Sequence, residues 1–471
     1  MRDYIILLLI AGGLPVTLFR PFFGLMMWCW IAYMVPHKLG WGLAAHLPVA
    51  SAVGATFLLA FLFSKEPKKL PMNQPIIIVY LLMLAWWTLS FVVNPATDYA
   101  LQQADKVLKI QLFTIITIMM VNTRERLFWL VGVIALSIAS FGVKGGIFTV
   151  LTGGDNRVWG PPGGFFEGNN EFGLTLLTIL PLLRFLQLQA TKSWQKHALT
   201  ASMLSCFVAA LGTHSRGALL AAAAMSAFFW WKSPSKLPIL LAGVILIPTL
   251  YFFMPESWHE RMSTIKVEDS GGGEQEFYRN TDTSTWCGQM TDKIQRHDLS
   301  AGGRVNAWCF AINVALHHPV GGGFEAFNPE SFLIYAPDPT DFHDAHSIYF
   351  KILGEHGFVG LALFLTLLAL SWFRAGKLQK LATQKNMIWA AQLAAMMQVS
   401  LLAFCVGGVF LGLCYFDLLY HLIAIVVILD VLIQKGEVNP AGTVPPASTE
   451  ASHGRLRFAN VHFPSDQQGQ R

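Results

Sequence analysis

Eleven segments of this chain are long apolar runs, and they dictate where it can fold. They are 43–63, 75–93, 106–122, 126–150, 168–188, 196–213, 216–232, 237–254, 345–373, 388–411 and 413–433. An α-helix needs roughly 20 such residues, with a range of about 17 to 25, to cross the hydrocarbon core of a bilayer. A bilayer cannot hydrate exposed backbone groups, so runs of this kind must be helical. Segment 4–36 adds one or two more spans. Pro15, Arg20 and Pro21 interrupt it, so it reads as two thin helices or as one span plus a re-entrant piece. The expectation is an all-α polytopic membrane protein with 12–13 transmembrane helices. Only 13% of the residues are charged, half of the roughly 25% usual in soluble domains.

Between the runs lies one long polar stretch. The chain therefore divides into an N-terminal transmembrane bundle (1–254), a large loop containing helices (255–344), C-terminal transmembrane helices (345–433) and a tail (434–471). The tail is rich in Pro, Ser, Gln and Gly, cannot bury a core and is expected to be disordered. The first residues, MRDYIILLLIAGGLP, lack a small-residue cleavage site and read as a retained membrane segment.

Basic residues orient the bundle. SKEPKK (64–69), NTRER (122–126), ATKSWQK (190–196), WKSPSK (231–236) and RAGKLQK (374–380) alternate with loops 94–105, 153–171 and 213–215, which hold few Lys or Arg. Basic loops stay in the cytoplasm, which puts the polar stretch outside and the tail inside. The net charge of +5 is small and spread along the chain, which fits such loops and not nucleic-acid binding. Six cysteines form no CxxC pair. Cys287 and Cys309 both fall in the polar stretch, where a disulfide and two free thiols are both open readings. The chain carries no internal repeat, Walker motif or dinucleotide fingerprint.

Three outward-facing points carry residues suited to chemistry. In LGTHSRGALLAAAA (211–224), Arg216 opens a helix at its outer end. The helix dipole there favours anions, so a cation is poorly matched unless an anion joins it. In SAGGRVNAWCFAINVALHHPVGGGFEAF (300–327), Arg304 begins an amphipathic helix ended by His317, His318, Pro319 and three glycines. Arg forks suit phosphate oxygens; the Gly-rich segment is a weak phosphate-loop signal. In DFHDAHSIYFKILGEHGFVGL (341–361), Asp344 reads as an N-cap and His346 as a first-turn residue. The helix terminus favours a neutral imidazole, while Asp341 and Asp344 favour the charged form. His343 and His346 stand three apart, yet no HExxH pattern or carboxylate cage supports a metal site. Glu355 lies nine residues from His346, about 14 Å along a helix at roughly 1.5 Å per residue, with Lys351 four residues before it as a partner. It faces away from His346 and reads as structural. Asn170, His318, His343 and Asp344 are supporting candidates. Arg157, Asn169, Lys144 and Arg261 are weaker ones.

At these points the sequence resembles the O-antigen ligase and polymerase superfamily of bacterial membrane glycosyltransferases. The resemblance rests on SRGA (215–218), GGR…W (302–308), HHPVGGGFEAF (317–327) and DAHSIYF…LGEHGFVGL (344–361), in that order. It is similar in particular to the O-glycosylation ligases of exosortase A systems, which PFFGLMMWCWIAYMVPHKL (21–39), FFEGNNEFGL (165–174) and SWHERMSTI (257–265) also fit. The resemblance implies transfer of a glycan from undecaprenyl diphosphate to an acceptor hydroxyl on a protein, lipid or glycan. The site would face the periplasm from the inner membrane and need no cofactor or metal. It implies His346 as the catalytic base and Arg216 and Arg304 as diphosphate-binding residues. A glycan polymerase acting on the same donor is the nearest alternative. A transporter is the non-enzyme one, expected to show ionisable residues mid-span and broken helices in matching halves. One departure is the long polar segment 268–301, read as an insertion serving as lid or ornament.

Overall fold

The computed structural model describes residues 2–232 apart from 41, 95 and 96, isolated positions between 236 and 259, and residues 281–436 apart from 297. Among the described residues there are sixteen α-helices and no strand. The protein is an all-α polytopic membrane protein. Among the described residues, six helices are long and apolar enough to cross a bilayer: α5 (Pro75–Val93), α7 (Arg124–Leu151), α8 (Asn169–Gln189), α14 (Ile348–Gln384), α15 (Ile388–Gly407, extended by one turn to Phe410) and α16 (Asp417–Lys435). Shorter apolar helices are α1 (Arg2–Phe19), α2 (Pro21–Met34) and α4 (Val49–Phe63). The expected span 237–254 lies mostly outside the described residues, as do segment 268–280 and the tail from 437.

Local chemistry explains several boundaries. Segment 4–36 is two helices, parted where Arg20 takes a non-helical backbone ahead of Pro21 at the first position of α2. Proline there needs no N–H partner. The expected loop 94–105 is mostly helical. Thr97 accepts from the Ala100 N–H at 3.1 Å and starts α6 (Asp98–Met120). RAGKLQK, expected as a loop, continues α14. α16 is buried along nearly its whole length, which makes it the central post of the bundle. α6, α7, α14 and α15 pack around it.

Contacts sort the loops into two ends. Arg126 grips Glu66 through two bonds of 2.7 and 2.8 Å, Arg124 lies 5.0 Å over the Trp389 ring, and Arg374 clasps Asp430 at 2.7 and 2.9 Å. These join basic segments at one end. At the other end, Asn94 donates to the Gly321 carbonyl, Asn169 to the Thr213 carbonyl, and His214 Nε2 lies 2.8 Å from the Gly154 carbonyl. The candidate residues stand at this second end.

α14 departs most from expectation. The apolar run 345–373 reads as one continuous span, but Gly357 has φ 67° and ψ −171° and divides the helix in two. Such a break frees the last carbonyls of the first piece. All three find donors elsewhere: Gly322 N–H bonds the Gly354 carbonyl at 2.9 Å, Gly323 N–H and Ser90 Oγ bond that of Glu355 at 2.9 Å each, and Trp86 Nε1 bonds that of His356 at 2.8 Å. A Cβ on Gly357 would fall 2.2 Å from the Pro319 carbonyl oxygen, and one on Gly321 would fall 2.4 Å from the Glu355 backbone. The glycine triplet 321–323 therefore caps a helix break and is no phosphate cradle.

Candidate active site

Arg216 stands at the start of α10 (Arg216–Lys232), behind a tight turn. Three contacts fix that turn. The Thr213 carbonyl accepts from Asn169 Nδ2 at 2.8 Å, His214 adopts φ 54° with its ring on the Gly154 carbonyl, and Ser215 Oγ accepts from the Ala218 N–H at 3.2 Å. The anion that a cation needs at this helix terminus is Asp298, 3.3 Å away and 82 residues later. Asp298 also accepts from the Ala301 N–H at 3.1 Å, at the start of α12 (Leu299–His317).

α12 carries Arg304, and the two glycines before it set its seat. A Cβ on Gly302 would meet Gln295 at 2.2 Å, and one on Gly303 the His343 ring at 2.7 Å. Among the described residues Arg304 makes no ion pair. Burial and then the neighbouring charge of Arg216 weaken its hold on its proton, offset by Asp298 and Glu171. Two residues on, Asn306 donates to the carbonyls of Asp338 and Asp341 at 2.8 and 2.9 Å and accepts from the Asp338 N–H. Trp308 donates to the Ala345 carbonyl at 2.8 Å and stacks on Phe350. The helix that presents Arg304 thus also anchors the backbone next to His346. Asn306 was missed by reading the sequence, and Trp308 appeared only as a motif letter.

His346 is not in the first turn of a helix. Ser347 takes the capping position, α14 begins at Ile348, and His346 sits before it with φ 42°. Residues held in this region cluster at functional sites because surrounding contacts must enforce the conformation. Asp344 is not the N-cap either. Its Oδ1 lies 2.7 Å from Lys351 Nζ, because the chain turns back over the first helical turn. Burial lowers the His346 pKa. Asp344 and Glu171 oppose that and Arg304 adds to it. His343 lies 2.8 Å from Asp341, which raises its pKa, and Asp341 is further held by Gln295 at 2.9 Å.

Glu355 is fully buried and paired with Lys351 at 3.4 Å, as the four-residue spacing suggested. It also accepts from the Glu325 N–H at 3.1 Å and from Tyr415, whose hydroxyl lies 2.7 Å from His356 Nε2. Lys351 therefore bridges the site wall at Asp344 to the bundle interior. Glu355 stands one residue from the end of the first piece of α14 and does not sit midway along a continuous helix.

Asn170, Ser215, Arg216 and Arg304 line one cleft of about 110 Å³ with Phe410 and Leu411. The next residues in each chain segment, Glu171 and Gly412, line a second cavity of about 400 Å³ that contains His346, Asp344 and Lys351. The structure thus brings Arg216, Arg304, Asn170, His346 and Asp344 to adjoining walls, with His343 against Gly303. His318 lines neither cavity. It is exposed and 2.8 Å from the Tyr335 hydroxyl.

Part of the supposed insertion is built into this site. α11 (Trp286–Gln295) is joined to α12 by a Cys287–Cys309 disulfide, Gln295 reaches Asp341, and Asp298 pairs with Arg216. Residues 286–296 and Asp298 are structural parts of the site, which corrects the reading of that part of the segment as lid or ornament.

Residues 201–365 match the family described as O-Antigen ligase. The matched region holds Arg216, Arg304, His343, Asp344, His346 and Glu355. It supports a membrane glycosyltransferase of the ligase or polymerase type, which in general uses a lipid-linked glycan donor and an acceptor. Residues 1–191 match a family of unknown function, and that region contributes Asn170. No curated protein matches the sequence.

Proposed function

We propose that the protein transfers a glycan from undecaprenyl diphosphate to an acceptor hydroxyl, at the periplasmic face of a bacterial inner membrane. The observation that carries this reading is a cleft lined by two guanidiniums, only one of them paired with a carboxylate (Arg216 with Asp298), opening beside a half-buried histidine held at φ 42°. His346 takes the proton of the acceptor hydroxyl. The freed oxygen attacks the anomeric carbon, the bond from that carbon to the diphosphate oxygen breaks, and undecaprenyl diphosphate leaves. Attack from the opposite face inverts the anomeric centre. Arg216 and Arg304 hold the departing charge, and preorganised cations do this well in a site shielded from water. Asp298 shares Arg216 with the ligand and keeps it aimed before the donor arrives.

The test is transfer by the purified full-length protein from a lipid-linked glycan, with products sized to tell a single transfer from polymerisation. His346→Ala is expected to lose roughly 10²–10⁴-fold in rate, the span of general-base contributions. Arg216→Ala and Arg304→Ala are each expected to lose about 10²–10³-fold, as for removal of one charge-stabilising donor. Wild-type transfer by His346→Ala would remove the base assignment.

A further inference from the structure

The two adjoining cavities differ in charge, and the difference sorts the parts of a lipid-linked sugar. The smaller cleft carries Arg216, which Asp298 engages at 3.3 Å, and Arg304, and among the described residues no carboxylate lines it directly. The larger has Glu167, Glu171 and Asp344 against Lys106 and Lys351. Lys351 is already engaged by Asp344 at 2.7 Å and by Glu355 at 3.4 Å. Carboxylates in excess of free cations repel a diphosphate, whereas a neutral polyol accepts and donates bonds to the same groups. At about 400 Å³, the cavity falls in the range of roughly 300–1,000 Å³ typical of small-ligand sites. Gln103 and Lys106, one turn apart on α6, also line it, with Lys106 Nζ 3.8 Å over the Phe165 ring. Seven of its thirteen lining residues lie within 1–191, the region matched only to a family of unknown function.

We infer that this cavity is a glycan subsite, walled mainly by the N-terminal half, which seats hydroxyl-rich, phosphate-free sugar beside His346 while the arginine cleft holds the diphosphate. The assignment rests on the transferase reading of the site. On it, the N-terminal half selects the sugar. The sugar comes either from the donor or from the acceptor, and the two sources are separable.

The test uses the full chain in lipid nanodiscs with three probes: undecaprenyl diphosphate, the same lipid bearing its glycan, and the free oligosaccharide released from it by mild acid. The double variant Gln103→Ala/Lys106→Gln is expected to bind the free oligosaccharide about tenfold more weakly, a change of roughly 1.4 kcal/mol, and the bare lipid as wild type does. If the glycan-bearing lipid weakens equally, the cavity holds donor sugar. If it does not, the cavity holds acceptor sugar. Equal weakening of the bare lipid, or no change with any probe, overturns the subsite. Arg304→Ala separates the premise: a variant that binds bare lipid like wild type overturns the transferase reading instead.

Discussion

Replacing Lys351 with Met tests the joint between the site and the bundle. Glu355 is fully buried and faces Lys351 at 3.4 Å, while Asp344, at 2.7 Å on the other side of the ammonium, is 40% exposed. Removing one partner of a buried ion pair costs about 3–5 kcal/mol, because the other charge is stranded. Glu355 would keep the Glu325 N–H and the Tyr415 hydroxyl, which places the expected loss near the lower end, about 3 kcal/mol. Asp344 adds little, since solvent screens an exposed pair to roughly 0–1 kcal/mol. Glu355→Gln in the same chain removes the stranded charge. The double variant is therefore expected to recover about 2 kcal/mol, within the roughly 0.5–3 kcal/mol seen for contacting residues. Equilibrium unfolding of the detergent-purified protein, followed by tryptophan fluorescence, reads all four corners of the cycle. Wild-type stability in Lys351→Met, or strictly additive single changes, would refute the energetic coupling of this pair.

Three further outcomes follow from the geometry. Burial lowers the His346 pKa below 6.5 and Glu171 opposes that, so kcat/KM should hold to mildly acidic pH and fall as the ring protonates; in Glu171→Gln the fall should move to lower pH, and a pH–rate profile checks it. Reducing the Cys287–Cys309 bridge, which closes a separation of 22 residues, should destabilise the loop by about 2–4 kcal/mol and loosen the helix carrying Arg304, measured as increased amide exchange across 286–317. Gly357→Ala must place a methyl 2.2 Å from the Pro319 carbonyl oxygen at positive φ, so it should lower the unfolding temperature and transfer together, whereas Gly436→Ala, with no atom within 4 Å of the new carbon, should cost only its backbone strain.

The fold class was legible because length and apolarity of a run decide its environment before any packing is known. The Lys351–Glu355 pair was legible for a similar reason, as a four-residue spacing on a helix is local information. The break at Gly357 was not. A glycine in an apolar run costs little to read through, and the donors that make the break tolerable come from Trp86, Ser90, Gly322 and Gly323, all remote in sequence. The same limit hid Asp298 as the partner of Arg216. It also makes segment 268–301 read as lid or ornament, since polar composition says nothing of the contacts of Gln295 with Asp341 and Asp298 with Arg216. His346 was picked out by its motif, but its placement ahead of the helix depends on the Trp308 anchor at Ala345 and the Asp344–Lys351 pair.

The capped break also bears on whether the chain is modular. The two family matches end at 191 and begin at 201, which invites grafting one half onto a relative's other half. The carbonyls freed at Gly357 belong to the second half, but Trp86 and Ser90, which satisfy two of them, belong to the first. Asn94 ties the glycine triplet to the first half as well. A chimera joined near 195 that lacks these donors would take the Trp86 bond from the His356 carbonyl, and a lost hydrogen bond costs about 0.5–1.5 kcal/mol. The Glu355 carbonyl would keep only the Gly323 bond. The seam in sequence is thus not a seam in the molecule, and viable exchanges should carry positions 86, 90 and 94 along with 317–357.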